Sequence, residues 1–187
     1  MEHLGTKEIR SGRLLLRRFT VEDAEAMYKN WAGDPEVTRY LMWDAHPNVS
    51  ATRAILKSWI EHYEEPSCYL WAIVTEKEPI GSISVVNMDE PSESAEIGYC
   101  LARKEWGKGI MTEALFLVMR FLFEEVGLHR IHLKFDTENV GSGRVMIKNG
   151  LRYEGLQKAA KRRDDGSWGD VALYAMLLEE WGQEKER

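Results

Sequence analysis

The chain has 187 residues, 44% of them hydrophobic and 30% charged, with a formal net charge of −6 at pH 7. That length and apolar content bury one good core and exclude a disordered chain, so a single domain over residues 1–187 is predicted. The acidic balance excludes a general nucleic-acid binder, whose phosphate contacts need a basic face.

Two cysteines, Cys68 and Cys100, show no CxxC or Cys/His ligand spacing, which argues against a structural zinc site or a disulfide framework. The N-terminal MEHLGTKEIR carries charges where a signal peptide needs an apolar core. No apolar run approaches the roughly 20 residues of a membrane span. A cytoplasmic protein with no metal and no membrane partner is expected.

Residues 9–19, IRSGRLLLRRF, read as a first strand. Thr20 then stands as a helix N-cap, with Asp23 three residues on where a capping box places its acid. Val21, Ala24, Met27, Tyr28 and Trp31 follow at helical spacing until Gly33, Asp34 and Pro35 stop the helix. A short helical turn is expected at 35–41. Ser50 opens a second amphipathic helix, with Ala51, Ile55, Trp59 and Tyr63 on its apolar stripe, ended by Pro66.

A strand-rich block comes next. CYLWAIVTE (68–76) and PIGSISVVNM (79–88) form a hairpin through Lys77 and Glu78. In SAEIGYCLA (94–102) the period of two puts Glu96, Gly98 and Cys100 on one face and Ala95, Ile97, Tyr99 and Leu101 on the other. Gly107, Lys108 and Gly109 then turn into a helix with apolar Ile110, Met111, Ala114, Leu115, Val118, Met119 and Leu122. RIHLKFDT (130–137), a helix over 141–150, and two final strands complete the chain, the last pair joined at Asp164, Asp165 and Gly166. The order β-α-α-β-β-β-α-β-α-β-β is that of one mixed α/β domain.

A glycine pair at a strand-to-helix corner either makes a tight turn or frees backbone N–H groups to hold an anion. The helix N-terminus favours negative charge, and glycine lets the backbone approach it closely. Neither G-x-G-x-x-G after the first strand nor G-x-x-x-x-G-K-[ST] is present. The residues at this corner leave both readings open.

Five segments in register resolve the choice. AEIGYCL (95–101), WGKGIMTEAL (106–115), Asn139-Val140-Gly141-Ser142, NGLRYEG (149–155) and DVALYAMLLEEW (170–181) together resemble the GNAT acetyltransferases, most closely the RimJ/RimL-like branch. The resemblance covers essentially the whole chain. It implies a central, mostly antiparallel mixed sheet with helices on both faces, acetyl-CoA as cosubstrate, and an amine acceptor.

The family's pyrophosphate loop, [QR]-x-x-G-x-[GA], falls on Trp106, Gly107, Lys108, Gly109, Ile110 and Met111. Gly109 alone keeps that consensus, and the rest follow the WGKG-x-[AM]-TEA form of the branch. The resemblance implies that backbone N–H groups of residues 107 to 111 carry the pyrophosphate with Lys108 assisting, and that Tyr99 and Leu101 border the coenzyme. Asn139 is expected to meet the pantetheine arm. Ser142 lies beside it, and Arg144 reaches either a coenzyme phosphate or a surface acid.

Acetyl transfer from a thioester needs a neutral amine and a proton for the leaving thiolate. A lysine-like amine is only about 0.04% neutral at pH 7, and an α-amine about 10–17%. GNAT enzymes often place the base on the strand that here holds Glu96. The Tyr acid common in the family is replaced by Met146, so Ser142 and Tyr174 are the acid candidates. The resemblance implies direct attack; Cys100 is a rival nucleophile with no fixed His partner.

The acceptor is either a protein N-terminal α-amine, as in ribosomal-protein acetylation, or a small-molecule amine, with Tyr40, Trp43 and Trp168 as candidate pocket aromatics. The alternative is a non-catalytic acyl-CoA-binding or regulatory module. Either a monomer or a homodimer is expected. His129 and His132 are read as strand-end or packed histidines, Trp31, Trp59 and Trp71 as core anchors. Lys158, Lys161, Arg162 and Arg163 are read as a solvated hairpin.

Overall fold

The computed structural model describes residues 1–76, 78–163 and 165–184. Lys77 and Asp164, one residue of each predicted hairpin tip, lie outside the described residues.

The predicted first strand is two short ones, β1 (Ile9–Arg10) and β2 (Leu15–Arg17). The chain folds back between them because Ser11 uses its N–H on the Leu14 carbonyl at 2.9 Å and its hydroxyl on the Leu14 N–H at 3.2 Å. Thr20 opens the next helix as expected. The Asp23 carboxylate accepts the Thr20 backbone N–H at 2.8 Å and a bidentate pair from Arg17 at 2.7 and 2.8 Å. That helix tightens over Val21–Asp23, is regular over α1 (Ala24–Met27) and widens over Tyr28–Ala32. Ala24, Met27 and Trp31 are buried at the predicted spacing.

The helical turn after Pro35 is α2 (Pro35–Thr38). In α3 (Val49–Glu61) the cap is Asn48, whose Oδ1 accepts the Ala51 N–H at 3.0 Å, and not Ser50. Of the predicted apolar stripe, Trp59 and Tyr63 meet the core, but Ile55 does not. Thr52 and Leu56 are buried, while Ile55 is 40% exposed. A polar residue can hold the inward position because His46 Nδ1 lies 2.9 Å from the Thr52 hydroxyl.

The remaining elements are β3 (Leu70–Thr75), β4 (Glu78–Asp89), β5 (Ser94–Leu101), α4 (Ile110–Phe121), β6 (Arg130–Asp136), α5 (Val140–Lys148), β7 (Arg152–Arg162), β8 (Trp168–Leu177) and α6 (Leu178–Glu184). The last was expected to continue the strand. Its start is fixed by Glu180, whose Oε2 accepts the Leu177 N–H at 3.0 Å. Trp181 then seats itself against Phe116 and Phe123, with ring centroids 5.1 and 5.6 Å away.

The sheet is open, with eight strands in the order β1-β2-β3-β4-β5-β6-β8-β7. It is mostly antiparallel, and β5 with β6 is a parallel pair. The fold is mixed α/β, with helices around the sheet. No helix among the described residues is long and apolar enough to cross a membrane.

The chain divides into two compact units. One holds His3–Val85 and Gly98–Ile110; the other holds Met1–Glu2, Val86–Ile97 and Met111–Arg187. In the first unit, Phe19, Met27, Trp31, Leu56, Ala72, Val74 and Cys100 share one core, with Trp43 and Trp59 packed against it. Tyr63 ties that core together, accepting the Phe19 N–H at 2.8 Å and donating to the Leu70 carbonyl at 3.0 Å. In the second unit, Leu115, Val118 and Met119 of α4 and Leu122 just after it are buried, as are Ile131 and Leu133 of β6.

Candidate active site

In the first unit, the corner between β5 and α4 has both glycines in the left-handed region, Gly107 at φ 77° and Gly109 at φ 73°. A side chain there is strained whatever the space. Space is not the constraint: a Cβ on Gly107 meets nothing within 4 Å, and one on Gly109 meets only Arg13 Nη2 at 3.7 Å. Conformation therefore demands glycine here, and the backbone stays open. Gly109 also precedes the first residue of α4, where it has no side chain with which to cap the helix.

The surrounding side chains shape the corner. Trp106 donates from Nε1 to the Leu101 carbonyl at 2.8 Å, so the indole folds back onto the end of β5. Lys108 Nζ pairs with Glu105 at 3.0 Å. Arg13 donates to the Lys108 carbonyl at 3.2 Å, bringing to the loop a cation that local spacing did not reveal. Its only sequence signal was the arginine flank of the first strand. Cys100 is buried with Ser82 Oγ 3.2 Å from its sulfur, and burial pushes its thiol up to about 11. A protonated, buried thiol at neutral pH is a poor nucleophile.

In the second unit, Glu96 faces β6. Its side chain is 14% exposed and its oxygens lie 3.0 and 3.1 Å from Lys134 Nζ. His132 stands directly across in the parallel register, with Nε2 3.9 Å from Glu96 Oε2 and Nδ1 3.4 Å from Ser94 Oγ. Burial is the main reason the His132 imidazole titrates below its ordinary value; Arg130 and Lys134 act in the same sense, Glu96 and Glu154 against it. The packed-histidine reading of His132 thus omitted its acidic neighbour. Among the described residues, no group of three or more His, Cys, Asp and Glu side chains is arranged to hold a metal ion.

Asn139, Ser142 and Arg144 lie at the start of α5. Asn139 is its N-cap, with Oδ1 accepting the Ser142 N–H at 3.3 Å. The turn leading to it is locked by Asp136, whose side chain is 0% exposed. Arg163 grips both Asp136 oxygens at 2.8 Å and Glu138 at 2.7 Å, while the Glu138 N–H donates to Asp136 Oδ1 at 3.0 Å. The pair fits over β8 because residue 169 is glycine, where a Cβ would stand 2.5 Å from Asp136 Oδ2. Arg163 is therefore a clamp, not part of a solvated hairpin. It holds the Asp136 carboxyl below the usual carboxylate range.

Tyr174 pairs with Leu133, next to the His132–Ala175 pair, so alternation places it on the sheet face opposite Glu96. Its ring meets Phe135 at 5.9 Å and Tyr153 at 5.6 Å. α5 lies on that same face, since Gly143 approaches the Phe135 ring so closely that a Cβ would be 2.5 Å away. Among the aromatics proposed for an acceptor pocket, Trp43 is packed on the core of the first unit. Trp168, 62% exposed, belongs to the second.

Residues 13–152 match the acetyltransferase (GNAT) domain family. The chain is 30% identical over 171 residues to the uncharacterized N-acetyltransferase p20 of Bacillus licheniformis, covering 90% of this chain and 95% of that one. It is also 30% identical over 128 residues to the ribosomal-protein-serine acetyltransferase of Escherichia coli (strain K12), covering 68% and 71%. The fold is shared with a structure of the ribosomal α-N-protein acetyltransferase RimL in complex with coenzyme A, at a TM-score of 0.84 and 23% identity over 93% of this chain and 99% of that one. A family match running from Arg13 through both glycines, Glu96 and Asn139 makes this chain a member of the GNAT acetyltransferase family.

Proposed function

We propose that the protein transfers an acetyl group from acetyl-CoA to the α-amine of a protein N-terminus, by direct attack, and that its two units act as one domain. The observation that carries the coenzyme assignment is the pair of left-handed glycines before α4. They fit a pyrophosphate, because the corner is uncrowded, the helix N-terminus favours an anion, and Arg13 brings positive charge, with the Lys108–Glu105 pair beside it. Backbone N–H groups of residues 107 to 111 would hold it. Asn139 uses Oδ1 for its cap, so contact with the pantetheine arm falls to its Nδ2. Tyr99, Leu101 and Arg144 remain proposed contacts.

Acetyl-CoA supplies a thioester carbon open to an amine and a thiolate that leaves. Glu96 receives the ammonium of the acceptor at its carboxylate and directs the loss of its proton. Ser142 or Tyr174 supplies the proton the thiolate needs and regains one from the nitrogen of the adduct. Within the second unit, Glu96 projects from one sheet face, while α5 and Tyr174 occupy the other. The buried, raised Cys100 thiol speaks against a covalent acyl-enzyme.

An α-amine is the better acceptor on physical grounds too, since far more of it is neutral at pH 7 than of a lysine side chain. The ribosomal-protein acetyltransferases among the relatives support the same choice. Glu96→Gln is expected to lower turnover about 10²–10⁴-fold with acetyl-CoA affinity retained. Full turnover in that variant removes Glu96 from the mechanism.

A further inference from the structure

We propose that His132 is the proton acceptor paired with Glu96, taking at Nε2 the proton that the amine brings to the carboxylate. The inference rests on the reading of Glu96 as the residue that receives the amine. The two groups sit opposite each other in the β5–β6 register, and their nearest atoms are 3.9 Å apart. That distance is too long for a direct hydrogen bond. It leaves a gap that one nitrogen can bridge, with a hydrogen bond to each side.

In the tautomer that serves as a base, the ring proton sits on Nδ1, beside Ser94 Oγ. When Nδ1 donates to Ser94 Oγ, 3.4 Å away, Nε2 turns a lone pair toward Glu96 Oε2. Oε2 already accepts from Lys134 Nζ at 3.1 Å, and a further donor that meets both atoms completes the bonding of the imidazole. A protonated amine is such a donor. Lys134 also meets the carboxylate, at 3.0 Å, so Glu96 is shared between two cations; it holds the ammonium while the imidazole takes its proton. One N–H bond breaks on the ammonium and one forms at Nε2. The amine lone pair so released attacks the acyl carbon, and the imidazolium later gives its proton to water.

The charged groups facing His132 are Glu96 from β5, Arg130 and Lys134 from β6, and Glu154 from β7, while β8 contributes Ala175 opposite it. Arg130 is itself paired with Glu154 at 2.7 Å. With burial outweighing the two acids, the imidazole is neutral at neutral pH and ready to accept a proton.

The test is the pH dependence of acetylation of a peptide with an N-terminal serine, from about pH 5 to 9, in wild type, His132→Gln and Glu96→Gln. Wild type should lose activity in acid with a midpoint below the ordinary histidine value of about 6.5. His132→Gln should lower kcat about tenfold or more and abolish that acid limb, with acetyl-CoA affinity unchanged. Glu96→Gln should keep the limb. A His132→Gln enzyme with the wild-type rate and limb overturns the role of His132 and leaves Glu96 standing. A wild type that acetylates no amine overturns both readings. Should His132→Gln not fold, NMR titration of the His132 ring in the wild type decides: a midpoint matching the kinetic limb supports the pairing, and a different one refutes it.

Discussion

Two strand-to-helix corners of this protein solve the same backbone problem in opposite ways. The β6–α5 corner is closed: Asn139 caps α5, Asp136 orders the turn, and Arg163 locks Asp136 under Gly169. The β5–α4 corner is open: its two glycines have positive φ and almost nothing near them, and the residue before the helix has no capping side chain. A closed corner satisfies its own donors and stiffens the fold. An open one keeps donors and partial positive charge for something else, which is what a coenzyme pyrophosphate needs.

Substitutions at the two corners should therefore fail differently. The largest effect is expected at the open one. Gly109→Val forces a β-branched residue to φ near 73°, at a strain of about 1–3 kcal/mol, and displaces the N–H groups behind it. Acetyl-CoA affinity, read by calorimetry, should fall about 10²-fold while the fold persists. Equal affinity in the variant would break the comparison.

At the closed corner the loss should appear in stability. Asp136→Asn takes from Arg163 its buried, bidentate carboxylate and should lower the melting temperature at pH 7 by more than Glu138→Gln does. The sign follows from the depressed Asp136 carboxyl: its stabilisation is complete above the unfolded value of about 3.9 and disappears as pH falls through the lower folded value. The gap between wild type and Asp136→Asn should thus close in acid, and a gap that widens there contradicts the clamp. The smallest effect is expected from Asn139→Ala, where a lost cap costs about 1 kcal/mol. For a chain of this size that is a shift of roughly 2–4 °C in a thermal melt.

Much of this could be read from the sequence because it is local. The glycine corner, the Thr20–Asp23 opening and the strands from 68 to 101 each announce themselves within a few residues. Features that depend on register were hidden. Nothing near Glu96 in sequence says that His132 and Lys134 will stand beside it, because the β5–β6 pairing brings them there. Arg163 looked solvated because its partner lies 27 residues earlier, across the sheet. Thr52 replaces Ile55 on the buried side of α3 because His46 satisfies its hydroxyl, and α6 is hidden by an apolar run equally suited to a strand.

The central claim is that this chain binds acetyl-CoA and hands its acetyl group to an α-amine. The most direct measurement is release of coenzyme thiol, followed together with the mass of the acceptor, over a panel of peptides with N-terminal serine or alanine, lysine-bearing peptides blocked at the N-terminus, and small amines. The account predicts thiol release matched one for one by acetylated N-terminal peptide, at a higher kcat/KM than for any blocked peptide or small amine. Tight acetyl-CoA binding with no thiol released to any acceptor would contradict it and mark the protein as a coenzyme-binding module.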